Sequence, residues 1–294
     1  MLKTIALFSF LSVLPSVEAE SLLPEQYPED RVYTSSDRGY TQYGAPSLHK
    51  TGSYSLTFDD GPDRIKTPAL LDVLKRHKAR ATFFVITSQI TDATFPIIKR
   101  MLDEGHLVAS HGFRHDNSND IPAAVWKTRV KQSFLDLAKW HRKAGHRFDK
   151  FFYRFPYAAY GTRVDHHHLN SLKEISRELL GDNCIQFAFW DHDSGDWIPK
   201  MSAGEVFANL RATNEGGAFT TYRTIRPPGK PAYQIKVPAT QEAVSGGVVL
   251  QHDVQVNAVS ATDTFLRYAK ERNLSIVRLD EVEEFRVTKK CQMK

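Results

Sequence analysis

The sequence predicts an α/β fold: parallel strands alternating with helices and closed, or nearly closed, into a barrel, with a doubly wound sheet as the structural alternative. Three observations predict it. Apolar runs of strand length alternate with segments of helical periodicity, and they do so through seven units. Strands separated by helices of that length form parallel sheets with crossover helices. The 294 residues, 41% hydrophobic and 25% charged, are enough to bury one large core.

In chain order, the strand-like runs are 53–58, 81–86, 106–110, 151–155, 186–190, 248–251 and 274–277. The helical patterns between them are 67–77, 93–104, 122–144, 172–180, 203–213 and 259–272. One segment breaks the alternation. In AFTTYRTIRPPGKPAYQIKVPATQEAVSGG, two alternating runs, 221–226 and 232–237, flank PPGKP. This reads as a β-hairpin, about 218–240, inserted before the sixth strand with its prolines only at its ends.

The ends of the chain read differently. MLKTIALFSFLSVLPSVEAE carries one lysine, an apolar run from Ile5 to Leu14 and the small-x-small sequence Val17-Glu18-Ala19. It is expected to be a secretory signal peptide, residues 1–19, because the apolar run is too short to anchor in a bilayer. Residues 20–50 are polar and aperiodic, an irregular arm; 51–285 form the barrel and 286–294 a tail. Cleavage removes one Lys and one Glu, so the formal net charge of +5 persists, and with a pI near 9.0 it suits an anionic surface such as a cell wall. No compact basic run supports nucleic-acid binding, no other segment is apolar enough for membrane insertion, and a monomer in the periplasm, cell wall or extracellular space is expected. Cys184 precedes the fifth strand, on the amino-end face of the barrel. The tail must cross back to that face, a route that brings Cys291 near and permits a disulfide; two unpaired thiols are the alternative.

Marked polar residues sit where the predicted strands end. Asp59 and Asp60 follow strand one, His111 and His115 strand three, Arg154 and Tyr157 strand four, Asp193, Asp196 and Trp197 strand five, and His252 and Asp253 strand six. In a parallel barrel those ends share one face, the face that carries active sites. The three residues between His111 and His115 place both imidazoles on one face of a helical turn. With a carboxylate from strand one they make a two-His, one-Asp set with coordination positions left open, the catalytic rather than the structural metal pattern. Such an ion polarises a carbonyl and acidifies water.

These residues carry a resemblance. TFDDG at 57–61, HGFRH at 111–115, RFPY at 154–157, DSGDW at 193–197 and LQH at 250–252 stand in order over residues 51–285. The chain resembles the polysaccharide deacetylases of carbohydrate esterase family 4, the NodB-homology domain. The resemblance implies a distorted (β/α)7 TIM-like barrel and removal of acetyl groups from N-acetylglucosamine units. Peptidoglycan is the first expected substrate, then chitin or chitooligosaccharide, then O-acetyl esters of xylan-type glycans. It implies Asp60, His111 and His115 as metal ligands, with Zn2+ the expected ion and Co2+, Mn2+ or Ni2+ as alternatives. Asp59 is implied as the base, held by Arg154, and His252 as the general acid, oriented by Asp196. The Tyr157 backbone N–H is implied to face the oxyanion, and Trp197 and Leu250 to wall the acetyl pocket. Two readings of other classes stand beside it: a carbohydrate-binding pseudoenzyme and an amidase for small amides.

The chain departs from the family pattern at Gly112, where a Ser or Thr is usual, and in the hairpin, whose Tyr222, Arg223, Arg226, Lys230 and Tyr233 suit either sugar contacts or a mere cover for a barrel edge. His166, His167 and His168 are expected in a surface loop, since consecutive side chains diverge. Trp126 and Trp140 are expected in the core, Asp63 as a turn cap, Asp191 and His192 as neighbours of the site, and Asp253 as an organiser of its loop.

Overall fold

A computed structural model describes residues 44–161, 168–286 and 291–294. The expected signal peptide, most of the arm, His166 and His167 lie outside these residues. Among the described residues the barrel strands are β1 (Ser53–Asp59), β2 (Thr82–Val85), β3 (Leu107–Ser110), β4 (Phe152–Tyr153), β5 (Gln186–Phe187), β6 (His192–Asp193), β9 (Gly247–His252) and β10 (Ser275–Ile276). The helices are α1 (Lys66–His77), α2 (Phe95–Asp103), α3 (Ala123–Ala144), α4 (His168–Leu179), α5 (Ala203–Glu215) and α6 (Val256–Glu271). All barrel pairings are parallel, in the order β5-β4-β3-β2-β1-β9-β6, with β10 on the start of β1. The result is a curled sheet of the distorted (β/α)7 kind rather than a doubly wound one.

Strand parity explains what the sheet delivers. Tyr54, Leu56 and Phe58 of β1 pack outward with Leu70, Leu71, Leu74 and Phe265 of α1 and α6. Period-two alternation therefore turns Ser55, Thr57 and Asp59 inward, and all three are buried. The same parity places Val249 on the helix side, with Val248 and Leu250 in the inner cluster. It likewise sends His111, four residues beyond Leu107, to the carboxyl-end interior.

The strand expected at 186–190 is two short strands instead. Residues 186–193 leave one end of the sheet and join the other: the Ala188 N–H donates to Tyr153 O of β4 (3.1 Å), whereas the Asp191 N–H donates to Val248 O of β9 (2.9 Å). The sheet's two ends are thus one continuous segment, and the ladder lapses between them. The Asp191 carboxylate secures this crossing, accepting from Val248 N (2.7 Å), from Ala45 N (3.2 Å) and from His49 Nε2 (2.9 Å), so it also pins the end of the arm.

Other expectations meet the structure as follows. The hairpin is present as β7 (Gly217–Ile225) and β8 (Tyr233–Gln241), a separate antiparallel pair. Pro238, however, lies inside β8 opposite Thr220 and not at its end; a two-stranded sheet has only edges, where a missing N–H is tolerated. His168 is not in a surface loop but buried at the start of α4, its Nε2 3.0 Å from Ser118 O. Trp126 and Trp140 are buried, and Asp63 accepts from the N–H groups of Ile65 (2.9 Å) and Lys66 (2.7 Å) just before α1. No helix among the described residues is long and apolar enough to cross a membrane.

Cys184 and Cys291 form a disulfide that spans 107 residues, at the end of the barrel away from the strand carboxyl termini. Cross-linking so long a loop removes entropy from the unfolded chain. Replacing both cysteines by serine is expected to lower stability by about 2–4 kcal/mol, read as a shifted denaturation midpoint; an unshifted midpoint would show that the bond does not brace the fold.

Candidate active site

The adjacent carboxylates pose the first problem, since neighbouring residues of a strand point to opposite faces. Asp59 is the last inward residue of β1. Asp60 then takes a left-handed backbone (φ 80°), which brings its carboxylate to the same rim. Oδ2 of Asp59 and Oδ1 of Asp60 lie 3.7 and 3.4 Å from Nε2 of His111. Gly61 follows because nothing larger fits: a Cβ there would sit 2.0 Å from Oδ2 of Asp253. Asp253 is buried and accepts from the Thr67 hydroxyl (2.5 Å), and Thr67 in turn accepts from the Asp63 N–H (2.8 Å), so the turn after Asp60 is held from below. Burial, with the charges of Asp60 and Asp59 adding to it, pushes the Asp253 carboxyl up to about 7 despite the Thr67 bond.

Asp59 is 2% exposed, and a buried carboxylate needs a partner. Arg154, fully buried, provides it: Nη1 donates to Asp59 Oδ1 (2.9 Å) and Thr57 Oγ1 (2.6 Å), Nε to Ala188 O (2.8 Å) and Nη2 to Phe189 O (2.9 Å). The guanidinium also lies 4.1 Å from the ring centroid of Phe84. Thr57 had no assigned role in the sequence, although it opens the TFDD motif.

Asp60, His111 and His115 form the one cluster among the described residues able to hold a metal ion, with one ligand atom from each lying within 4.8 Å of the others. The donor chemistry fits. His111 Nδ1 donates to Arg154 O (2.9 Å), which leaves Nε2 bare on the rim. Asp60 Oδ1 is buried with no hydrogen-bond partner, a costly state that a cation relieves. Burial pulls the His115 imidazole below its ordinary range, although the Asp60 charge opposes this, and favours the neutral form a ligand requires. Burial also acts to raise the Asp60 carboxyl, but the close His111 imidazole, with His252 and His115, holds it well below the usual range. One expectation is corrected: 111–115 is not a helical turn but a loop, in which Gly112 has φ 89°. The imidazoles still converge, with ring centroids 5.3 Å apart. Gly112 is therefore a conformational requirement and not simply a missing hydroxyl, since a Cβ would meet Arg114 O at 3.1 Å.

His252 is the register partner of Asp59 on the neighbouring strand. Its Nδ1 lies 2.8 Å from Asp196 Oδ1, and its backbone N–H donates to Asp196 Oδ2 (2.6 Å). Burial acts to lower this imidazole, but the Asp196 charge and bond, with Asp59 and Asp60, outweigh it and push the pKa up to about 10. A raised value means that the pair stabilises the ion-free fold fully below the ordinary 6.5 and ceases to do so as pH rises through about 10.

These groups open on a cavity of about 450 Å³, within the range of small-ligand sites. Its wall includes Tyr157, Trp197 and Leu250, together with Asp193, Tyr222 and Gln234. Tyr157 is 64% exposed and, unusually for a bulky residue, left-handed (φ 58°), with its ring 4.4 Å from that of His115. The Trp197 indole N–H is held by both Asp193 oxygens at 3.0 Å. Asp193 had been placed at the rim without a task, and Gln234 had not been singled out. Gln234 pairs with Thr224, two residues from Tyr222 and on the same face of the ribbon, so the alternation of the two runs was the available signal.

Residues 49–174 match the family model described as polysaccharide deacetylase. The chain is 28% identical over 242 residues to the peptidoglycan-N-acetylglucosamine deacetylase PgdA of Listeria monocytogenes, covering 81% of this chain and 40% of that protein. It is 32% identical over 155 residues to the peptidoglycan-N-acetylmuramic acid deacetylase PdaA of Bacillus subtilis, covering 52% of each. The chain thus spans only about half, or less, of the length of these relatives. In fold it is similar to the Bc1960 peptidoglycan N-acetylglucosamine deacetylase, with a TM-score of 0.61, 23% identity, and 84% and 94% of the two chains covered.

Two outcomes are expected. His115→Ala should weaken retention of a divalent metal at least about tenfold, measured as metal content after dialysis; undiminished content would remove His115 from the ligand set. Arg154→Met should cost about 3–5 kcal/mol, because it strands a buried carboxylate, and denaturant titration would reveal a smaller role.

Proposed function

We propose that the chain is a metal-dependent N-deacetylase acting on N-acetylglucosamine units of a polysaccharide, peptidoglycan first, a reading supported by the match of residues 49–174 to the polysaccharide deacetylase family. One observation carries the reading. Two oppositely prepared groups, Asp59 tied to Arg154 and His252 tied to Asp196, flank a cluster of metal-ligand type at one rim. Hydrolysis of an acetamide needs that combination, namely a base for water, an acid for a poor leaving amine and a stabiliser for the charge on the carbonyl oxygen.

Asp60, His111 and His115 hold the ion in this reading, with zinc the expected one; when bound, it supplies Lewis-acid polarisation of the acetamide and acidifies water. Asp59, oriented by Arg154, accepts the proton of the water whose oxygen bonds to the carbonyl carbon. The Tyr157 backbone N–H is assigned to the carbonyl oxygen as charge builds there. His252, kept protonated by Asp196, donates to the nitrogen as the C–N bond breaks, so that acetate and a free amine leave. Trp197 and Leu250 wall the methyl group.

Peptidoglycan is favoured by the basic net charge and by what the relatives above are named for. Export accords with the signal-like residues 1–19 and with a disulfide, which persists in oxidising compartments.

The test is acetate release from defined peptidoglycan and chitin oligomers, with and without chelator. Release should depend on the ion and fall about 10²–10⁴-fold in Asp59→Asn. Asp196→Asn should move the alkaline limb of kcat/KM to lower pH, because it removes the chief partner that raises His252 against the effect of burial. Chelator-insensitive release, or an unmoved limb, would overturn the assignment; faster turnover of chitin oligomers would reassign the polymer.

A further inference from the structure

The β7–β8 hairpin belongs to no layer of the barrel, yet it is fixed to the site. Asn209 of α5, 3% exposed, donates from Nδ2 to Ser194 O (2.9 Å) and Thr220 O (2.8 Å) and accepts from Thr220 N–H (2.8 Å). One buried amide therefore joins the segment bearing Asp196 and Trp197 to the hairpin. Lys236 of β8 adds a second clamp, donating to Lys200 O (2.9 Å) and Glu205 Oε1 (2.6 Å).

Two residues beyond Thr220, and on the same face of the ribbon, stands Tyr222, cross-strand partner of Lys236. Its ring meets Trp197 nearly edge-on, with centroids 4.7 Å apart and planes at 69°. Tyr222 remains 40% exposed, and it lines the same cavity as Asp59 and His252, beside Gln234. A strand that merely covered a barrel edge would bury this ring. Here the attachment is polar, and the aromatic surface is left open to the cleft.

We infer that the hairpin is a fixed wall of the glycan cleft, and that Tyr222 with Trp197 forms an aromatic corner receiving a sugar ring adjacent to the one deacetylated. This rests on the deacetylase reading. A pyranose offers an apolar C–H face with polar edges, which suits an aromatic body flanked by amide and carboxylate groups. The cavity of about 450 Å³ is far larger than an acetyl group requires. Asn209 acts as a positioning residue for this corner.

The zinc-loaded enzyme is assayed on N-acetylglucosamine oligomers of two to six sugars, and binding of the same oligomers is titrated to zinc-loaded Asp59→Asn protein with and without Tyr222→Ala. Tyr222→Ala should raise KM and Kd for the longer oligomers about tenfold with kcat nearly unchanged, and Tyr222→Phe should restore both. An identical dependence on oligomer length with and without the tyrosine ring overturns the wall. If the wild-type enzyme releases no acetate from these oligomers or from peptidoglycan oligomers, the deacetylase reading falls on its own, and the binding arm still decides: a Kd that rises in Tyr222→Ala supports the corner, and one that does not refutes it.

Discussion

The buried guanidinium of Arg154 is the interaction on which the rest of the structure turns. A full positive charge inside a barrel is tolerable only if its donors are met, and here they are met by two different parts of the fold: the Thr57 hydroxyl and Asp59 on β1, and the carbonyls of Ala188 and Phe189 between β5 and β6. The last two lie where the ladder lapses. The same fork that pairs with Asp59 and aims it therefore also satisfies backbone at the interruption, and the Arg154 carbonyl orients His111 from the other side. Substituting lysine would preserve the charge but not the planar reach in several directions.

Around that brace the site solves a crowding problem. Asp59, Asp60, Asp196 and Asp253 all approach one rim, and like charges at such distances cannot stand side by side unaided. Each meets a different remedy: an arginine for Asp59, the imidazoles and a site for a cation at Asp60, the raised His252 for Asp196, and burial toward the neutral form for Asp253. The separation of roles follows from environment, since the four side chains are chemically the same.

Much of this was legible in the sequence because parallel barrels concentrate chemistry at strand ends. The runs and helices fell close to their observed places, and Asp59, Asp60, His111, His115, Arg154, Tyr157, Asp196, Trp197, Leu250 and His252 do converge. What escaped was set by long-range contact rather than local pattern. The break within 186–193 depends on which neighbour each residue finds, β4 or β9, and periodicity carries no record of neighbours. The burial of His168 depends on a carbonyl 50 residues away. The loop shape of 111–115 depends on a positive φ at Gly112, which a spacing rule for helical turns overlooks. Asn209 sat unnoticed in an ordinary amphipathic helix, since nothing local marks which of its polar residues will be buried.

The interruption between β5 and β6 has a bearing on how a polymer meets this protein. An unbroken ring of hydrogen-bonded strands encloses a well, and a well favours chain ends. Trp190, within the lapse, and Asp193, at its end, also line the cavity. On the side where the chain crosses over, the mouth is bounded by a single segment, held by Asp191 and Arg154, in place of a hydrogen-bonded pair of strands. On the proposed deacetylase reading, a glycan chain lies along that mouth without being threaded, so that an internal unit is reached by lateral entry.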